Sequence, residues 1–127
     1  NIHLVLGNHD HHIERNKEGV QSLFSSVQNY LRLEVKRPIN KATTEKFLFI
    51  CMHYPIASHH DMNQGVVHLH GHVHLPPHLR IGKGKSLDVG VDGNGLEPIS
   101  LDEVVKLMSK QPIKKLELPK DHHEPRV

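Results

Sequence analysis

The chain of 127 residues carries one cysteine, Cys51, which excludes an intramolecular disulfide framework and points to a reducing compartment. Cys51 sits inside an apolar run and reads as core packing. No apolar stretch approaches the roughly 20 residues that cross a bilayer. The first residues read as a strand rather than as a basic segment followed by a long apolar one. A cytoplasmic location without a membrane partner is therefore expected. Charge of one sign is lacking too: sixteen Lys and Arg stand against fourteen Asp and Glu, a net +2. That balance does not point to nucleic acid, although a nucleic-acid substrate is not excluded. Internal repeats are absent. Tyr, Phe and Trp together make up only 4% of the residues.

Against this plain background the chain holds fourteen histidines. Excess histidine means either metal or a histidine-rich surface. The informative ones fall in short motifs, each placed after an apolar run. Gly7-Asn8-His9-Asp10 follows residues 2–6, Met52-His53-Tyr54-Pro55 follows residues 47–51, and Gly71-His72-Val73-His74 follows residues 66–69. A fourth stretch, Asp88-Val89-Gly90-Val91-Asp92, carries no obvious chemistry. Ligands collect where strands end, because strands are rigid and their exits converge on one edge of a sheet.

The pattern predicts a strand buried on both faces over 2–6 and a short helix over 18–26, with Val20, Leu23, Phe24 and Val27 at helical spacing. Residues 29–36 alternate, with Leu31, Leu33 and Val35 on one face, and predict a half-exposed strand. Residues 38–45 read as a polar turn, 47–52 and 66–69 as further strands, and 86–91 as a fourth after the Gly82-Lys83-Gly84-Lys85 turn. Residues 100–109 predict a helix, with Ser100 and Glu103 as a capping box and Leu101, Val104, Val105 and Met108 as its apolar stripe. One domain is expected over 1–109, followed by a flexible tail over 110–127 rich in Pro and charge. The opening at Asn1, already inside a strand, suggests that further residues precede it.

An amide oxygen and neutral imidazoles on Asn8, His53, His72 and His74 suit divalent first-row metals such as Mn, Fe, Co, Ni or Zn. Gly71 would let the backbone approach such a site. A phosphate ester suits it, because hydrolysis needs charge neutralisation on the phosphoryl oxygens and a hydroxide nucleophile. It also needs a proton for the leaving alkoxide, for which His9 is the candidate, with Asp10 placed to orient it.

Gly-Asn-His-Asp, a histidine at a strand end, and Gly-His-x-His, in this order, resemble the C-terminal signature of calcineurin-like metallophosphoesterases. The run from Leu69 to His74, the Asp88–Asp92 stretch and the Pro98-Ile99-Ser100-Leu101-Asp102-Glu103 helix start look like a small bacterial and phage branch of that family. The resemblance covers most of the chain and implies an α/β fold. This would be mixed β-sheet layers with flanking helices, the C-terminal part of a two-sheet sandwich. It implies two divalent ions, manganese foremost, with Asn8, His53 and His72 on one and His74 on the other. His9 would protonate the leaving group. The activity implied is hydrolysis of phosphate mono- or diesters by a metal-activated hydroxide. The family pattern opens with Asp-x-His and Gly-Asp motifs, which do not precede Gly7 here. This chain is thus expected to be an N-terminally truncated member, impaired alone and completed by an N-terminal segment. The alternative is a non-catalytic metal-binding or assembly module completed by another chain.

Each motif also has a plainer reading. Asn8 would serve a simple turn, and His53 would be a buried histidine bonded to backbone. His68 and His70 read as structural or as supports of a ligand. His11, His12, His59, His60, His78, His122 and His123 read as solvated surface, and so does Arg15. Lys83 and Lys85 fit an anion nest or a hairpin turn equally. No substrate-binding residue can be named.

Overall fold

The computed structural model describes residues 1–115 and 117–125. It is a mixed α/β arrangement of two sheets and few helices. Strands β1 (His3–Val5) and β2 (Ser26–Gln28) pair in parallel, His3 opposite Ser26 and Val5 opposite Gln28. The larger sheet has the order β3-β4-β5-β6, from β3 (Tyr30–Pro38), β4 (Thr44–Met52), β5 (Val67–His70) and β6 (Ser86–Asp88). β3 and β4 form an antiparallel hairpin with Leu33 opposite Phe49, whereas β4, β5 and β6 run parallel. Helix α1 (His11–Glu14) is a single turn, and α2 (Leu101–Ser109) is the one helix of length among the described residues.

Period-two alternation decides which side chains meet α2. Leu33 and Val35 of β3, Phe47 and Phe49 of β4, Val67 and Leu69 of β5 and Leu87 of β6 form the core with Val104 and Met108 of α2. The intervening residues take the opposite face, where Ile50 and His68 are fully buried. Ser100 caps α2 by accepting from the Glu103 amide at 3.2 Å. At the far end Lys85 Nζ donates at 2.6 Å to the Met108 carbonyl, which also accepts from the Gln111 amide at 3.1 Å, placing a cation at the negative end of the helix. Arg37 joins Glu45 of β4 to Asp102 of α2 and lies over the Phe47 ring, fixing the helix start on the sheet.

Strand β3 follows its alternation and runs on to Pro38. The first strand is shorter than its apolar run and is not buried on both faces. It has only β2 beside it, and Ile2 is 64% exposed. The helix expected over 18–26 is replaced by a 3-10 turn, Val20–Leu23, with Leu23 exposed, and by β2. Parallel pairing with β1 claims Ser26 to Gln28, and a weak helical preference yields to it. The fourth strand stops at Asp88 because the carboxylate of that residue takes the Gly90 amide at 2.8 Å and turns the chain into a 3-10 turn, Val91–Gly93.

The tail expected over 110–127 includes Leu116, Arg126 and Val127, which lie outside the described residues. Its early part crosses the loops: a Cβ on Gly84 would stand 2.7 Å from Lys114 Cβ, and one on Gly65 would meet Ile113 at 3.1 Å. Among the described residues no helix is long and apolar enough to cross a membrane.

Candidate metal centre

Three strand exits meet at one edge of the molecule. After β1 the chain closes a tight turn in which Gly7 N–H donates to Asp10 Oδ2 at 2.7 Å and Asp10 N–H to Gly7 O at 3.2 Å, leaving Asn8 at its tip. His53 directly follows β4, and its carbonyl accepts from the Gly71 amide at 3.0 Å, which ties the β4 exit to the β5 exit. Beyond β5 the chain kinks sharply. His72 (φ 71°) and His74 (φ 50°) both adopt the left-handed region, at a cost of roughly 1–2 kcal/mol for a side chain other than glycine.

The convergence is close. His53 Nε2 lies 2.7 Å from Asn8 Oδ1 and 3.2 Å from His72 Nδ1, and His72 Nδ1 lies 3.2 Å from Asn8 Oδ1. Two ring nitrogens this close cannot both carry hydrogens aimed at each other. At most one hydrogen at a time suits the contact, and the other nitrogen offers a lone pair. Ligands held ~2.1 Å from a shared ion stand about 3.0–3.4 Å apart. The donor set fits an ion in chemistry, and the two 3.2 Å separations fall in that range, whereas the 2.7 Å contact of Asn8 with His53 is a hydrogen bond that an ion would have to open. Among the described residues no group of three or more His, Cys, Asp and Glu stands together as an ion cage. The convergence is two imidazoles and an amide.

The surroundings favour a neutral His53 ring. Burial, then the neighbouring His72, hold His53 below the ordinary imidazole range, and Asp10 opposes them more weakly. Tyr54 sets its ring against both histidines, 5.1 Å from His53 and 4.7 Å from His72 between centroids. A cleft of about 280 Å³ adjoins His53 and Gly71, with Val5, Cys51, Met52, Leu69 and Val89 as its apolar walls.

The other candidates are placed differently. His9 is exposed beside Asn8, close enough for its charge to bear on His53. The Asp10 carboxylate, expected to orient His9, holds the Gly7 amide. His74 also bears on His53 electrostatically, but its Nδ1 lies 2.7 Å from Asp92 Oδ2. Gly71 does not crowd the site, since a Cβ there would stand 3.9 Å from His53 Nδ1. Gly7 is the close approach, with His53 Nδ1 at 2.8 Å from a Cβ.

His68 is a structural histidine: Ile56 N–H donates to its Nε2 at 3.0 Å, so Nδ1 carries the hydrogen and donates to Ile50 O at 2.9 Å. His59, expected on the surface, is buried at 9% exposure with Nε2 2.6 Å from the Val66 carbonyl. Its ring, that of His68 and that of His70 form a row on the face away from α2. Sequence reading missed Tyr54, Gly7 and Asp92. All three lie inside the quoted motifs, but the Asp88–Asp92 stretch suggested no chemistry, so nothing singled out Asp92 as the partner of His74. No family model, curated protein or solved structure matches the chain.

Proposed function

We propose that the chain is the histidine-bearing part of a metal-dependent phosphoesterase, similar in its motifs to the calcineurin-like metallophosphoesterases, acting on phosphate mono- or diesters. The observation that carries this reading is the meeting of Asn8 Oδ1, His53 Nε2 and His72 Nδ1 within 2.7–3.2 Å from three separate strand exits. These three residues would hold one divalent ion, manganese or another first-row metal, and His74 would serve a second. Bound there, such ions supply Lewis-acid polarisation of the phosphoryl oxygens and a more acidic water. His9 is exposed at the rim beside Asn8 and is the proton donor to the leaving oxygen. The strain at His72 and His74 supports the reading, because unfavourable backbone persists where a site requires it. On this reading the two sheets are the C-terminal part of the family's sandwich and the compartment is the cytoplasm.

A second reading has its own support. Among the described residues no carboxylate joins His53 and His72, and a carboxylate is what holds two like-charged ions together. A metal-binding or assembly module completed by a further segment or chain follows from that.

Calorimetric titration with Mn²⁺ and Zn²⁺, followed by hydrolysis of p-nitrophenyl phosphate and bis(p-nitrophenyl) phosphate, tests the proposal. Wild type is expected to bind an ion. His53→Ala and His72→Ala should each weaken binding by more than the roughly 10–100-fold that loss of an outer partner costs. His9→Ala should bind normally and, in the completed enzyme, lose most of the turnover. Binding without hydrolysis by this chain alone fits both readings; hydrolysis on adding a segment that bears the Asp-x-His and Gly-Asp motifs selects the first, and none on adding it selects the second. Absence of binding, or equal binding by the His72 variant, refutes both.

A further inference from the structure

The Asp88-Val89-Gly90-Val91-Asp92 stretch has no part in the group formed by Asn8, His53 and His72. Both of its carboxylates nevertheless point to the loop that carries His74. Asp88 is 2% exposed. Its Oδ2 accepts from the Leu75 amide at 3.1 Å, and its Oδ1 from the Gly90 amide at 2.8 Å. Burying a carboxylate is costly unless its oxygens are hydrogen-bonded. Here the two bonds reach two different loops, one just past His74 and the other leading into Asp92.

Two more ties hold those loops together. Arg80 Nη1 donates to the Gly93 carbonyl and to Asn94 Oδ1, each at 2.9 Å. Gly93 is buried, and a Cβ on it would stand 2.9 Å from the Leu75 carbonyl oxygen, so the backbones pass closer than any side chain permits. Three independent constraints thus bring the Asp92 turn onto the segment after His74. Their outcome is the 2.7 Å contact between Asp92 Oδ2 and His74 Nδ1. Two exposed side chains on separate loops rarely stay in such contact unless their backbones are held.

We infer that Asp92 is a positioning residue for His74: it takes the Nδ1 hydrogen and leaves Nε2 as the bare nitrogen for a divalent ion, while Asp88 holds the two loops in the register that allows it. The inference deepens the proposed reading of His74 as a ligand and rests on it. A carboxylate behind a metal-binding imidazole fixes the tautomer and raises ligand basicity, so the geometry gives the Asp88–Asp92 stretch a chemical role.

Long-range ¹H–¹⁵N spectra of the ¹⁵N-labelled full chain read the tautomer of each imidazole directly. His74 signals are assigned by their loss in His74→Gln, and the buried His68 reports that the fold is intact. In wild type His74 is expected to carry its hydrogen on Nδ1. Asp92→Ala should shift it toward the Nε2–H form with His68 unchanged, and Asp92→Asn, whose amide oxygen still accepts, should restore part of the wild-type pattern. Asp88→Asn turns a donor toward one of two backbone donors and should also release His74, although it does not touch the ring. On titration with Zn²⁺, the midpoint for the His74 Nε2 shift should move up about 10–100-fold in Asp92→Ala, while those of His53 and His72 stay in place. An unchanged His74 tautomer in Asp92→Ala, or an unchanged His74 midpoint, overturns the inference. If Zn²⁺ shifts neither His53 nor His72 in wild type, the proposed ion site fails, and the tautomer comparison still decides the role of Asp92.

Discussion

Gly7→Ala is the sharpest perturbation of the candidate site, because it adds one methyl group and changes no donor atom. A Cβ on Gly7 would stand 2.8 Å from His53 Nδ1, 2.9 Å from Cε1 and 3.1 Å from Cγ, whereas ordinary contact begins at 3.4 Å. The ring must therefore retreat by about 0.6 Å or more. It cannot do so freely, since Nε2 meets Asn8 at 2.7 Å and His72 at 3.2 Å, and Tyr54 packs against its side. Either χ angles leave their wells, at about 0.5–1.5 kcal/mol, or the strand exit shifts, at roughly 1–3 kcal/mol. A loss of about 2 kcal/mol corresponds to roughly 5–10 °C in Tm for a domain of this size. On the proposed reading, divalent-metal affinity should fall at least about tenfold, or 1.4 kcal/mol, because the ring that would bind the ion is displaced. Gly71→Ala is the control. It faces the same ring nitrogen, but a Cβ there would keep 3.9 Å from Nδ1, and it should stay within about 0.5 kcal/mol of wild type. Neither glycine has a left-handed backbone, so contact alone separates them. Melting followed by circular dichroism in a chelator, and calorimetric titration with Zn²⁺, measure the two effects. If the Gly7 and Gly71 variants melt and bind alike, the reasoning about ring position is refuted.

Two further predictions concern the sheet behind the site. Burial holds His68 below the ordinary imidazole value of 6.5, and its Nε2 must stay bare to accept the Ile56 amide. The unfolded chain thus binds the proton more readily. Stability should be full above about pH 6.5 and fall as pH drops from there toward the lower folded value, by at most about 1.4 kcal/mol per pH unit for this group. Urea titrations in a chelator should show a flatter dependence in His68→Gln, and equal slopes below pH 6.5 would contradict the assignment. Burial also pushes the Cys51 thiol up to about 11 from 9.0. Iodoacetamide at pH 8 should therefore modify the native protein about 100-fold more slowly than the urea-unfolded chain, and comparable rates would mean that the thiol is not held in the core.

What could be read from the sequence was what local pattern encodes. The alternation of Leu31, Leu33 and Val35 is a period-two signal, and β3 follows it. Ser100 with Glu103 announces the start of α2, and Ser100 caps it. Asn8, His53 and His72 could be grouped in advance because each follows an apolar run, and parallel strands put their exits on one edge. Residues 18–26 misled because Val20, Leu23, Phe24 and Val27 satisfy helical spacing, while pairing with β1 is a non-local choice that spacing does not record. His59 was misplaced for a related reason. A polar loop with two adjacent histidines reads as surface, yet one of them folds back onto the Val66 carbonyl. Gly7 and Gly71 are indistinguishable as letters, and only the position of the His53 ring gives them different weights.

The same distinction identifies the weakest joint of the candidate site. His53 and His72 leave neighbouring parallel strands, and the Gly71 amide is bonded to the His53 carbonyl, so their spacing is set by the large sheet. Asn8 leaves the two-stranded sheet, where β1 has β2 alone beside it. Its contact with His53 at 2.7 Å is therefore a bond between sheets rather than within one. A ligand that needs Asn8 and His53 together would draw the smaller sheet onto the larger, and by linkage every decade of its concentration above Kd adds about 1.4 kcal/mol to the joined state. Leu6, just past β1, is buried, whereas Ile2 and Leu23 stand in solvent, and the chain passes from β2 through Asn29 directly into β3. On the proposed reading, occupancy of the site and the docking of β1 and β2 are one equilibrium. The Gly7 variant then acts on both at once, because it disturbs the ring through which the two sheets meet.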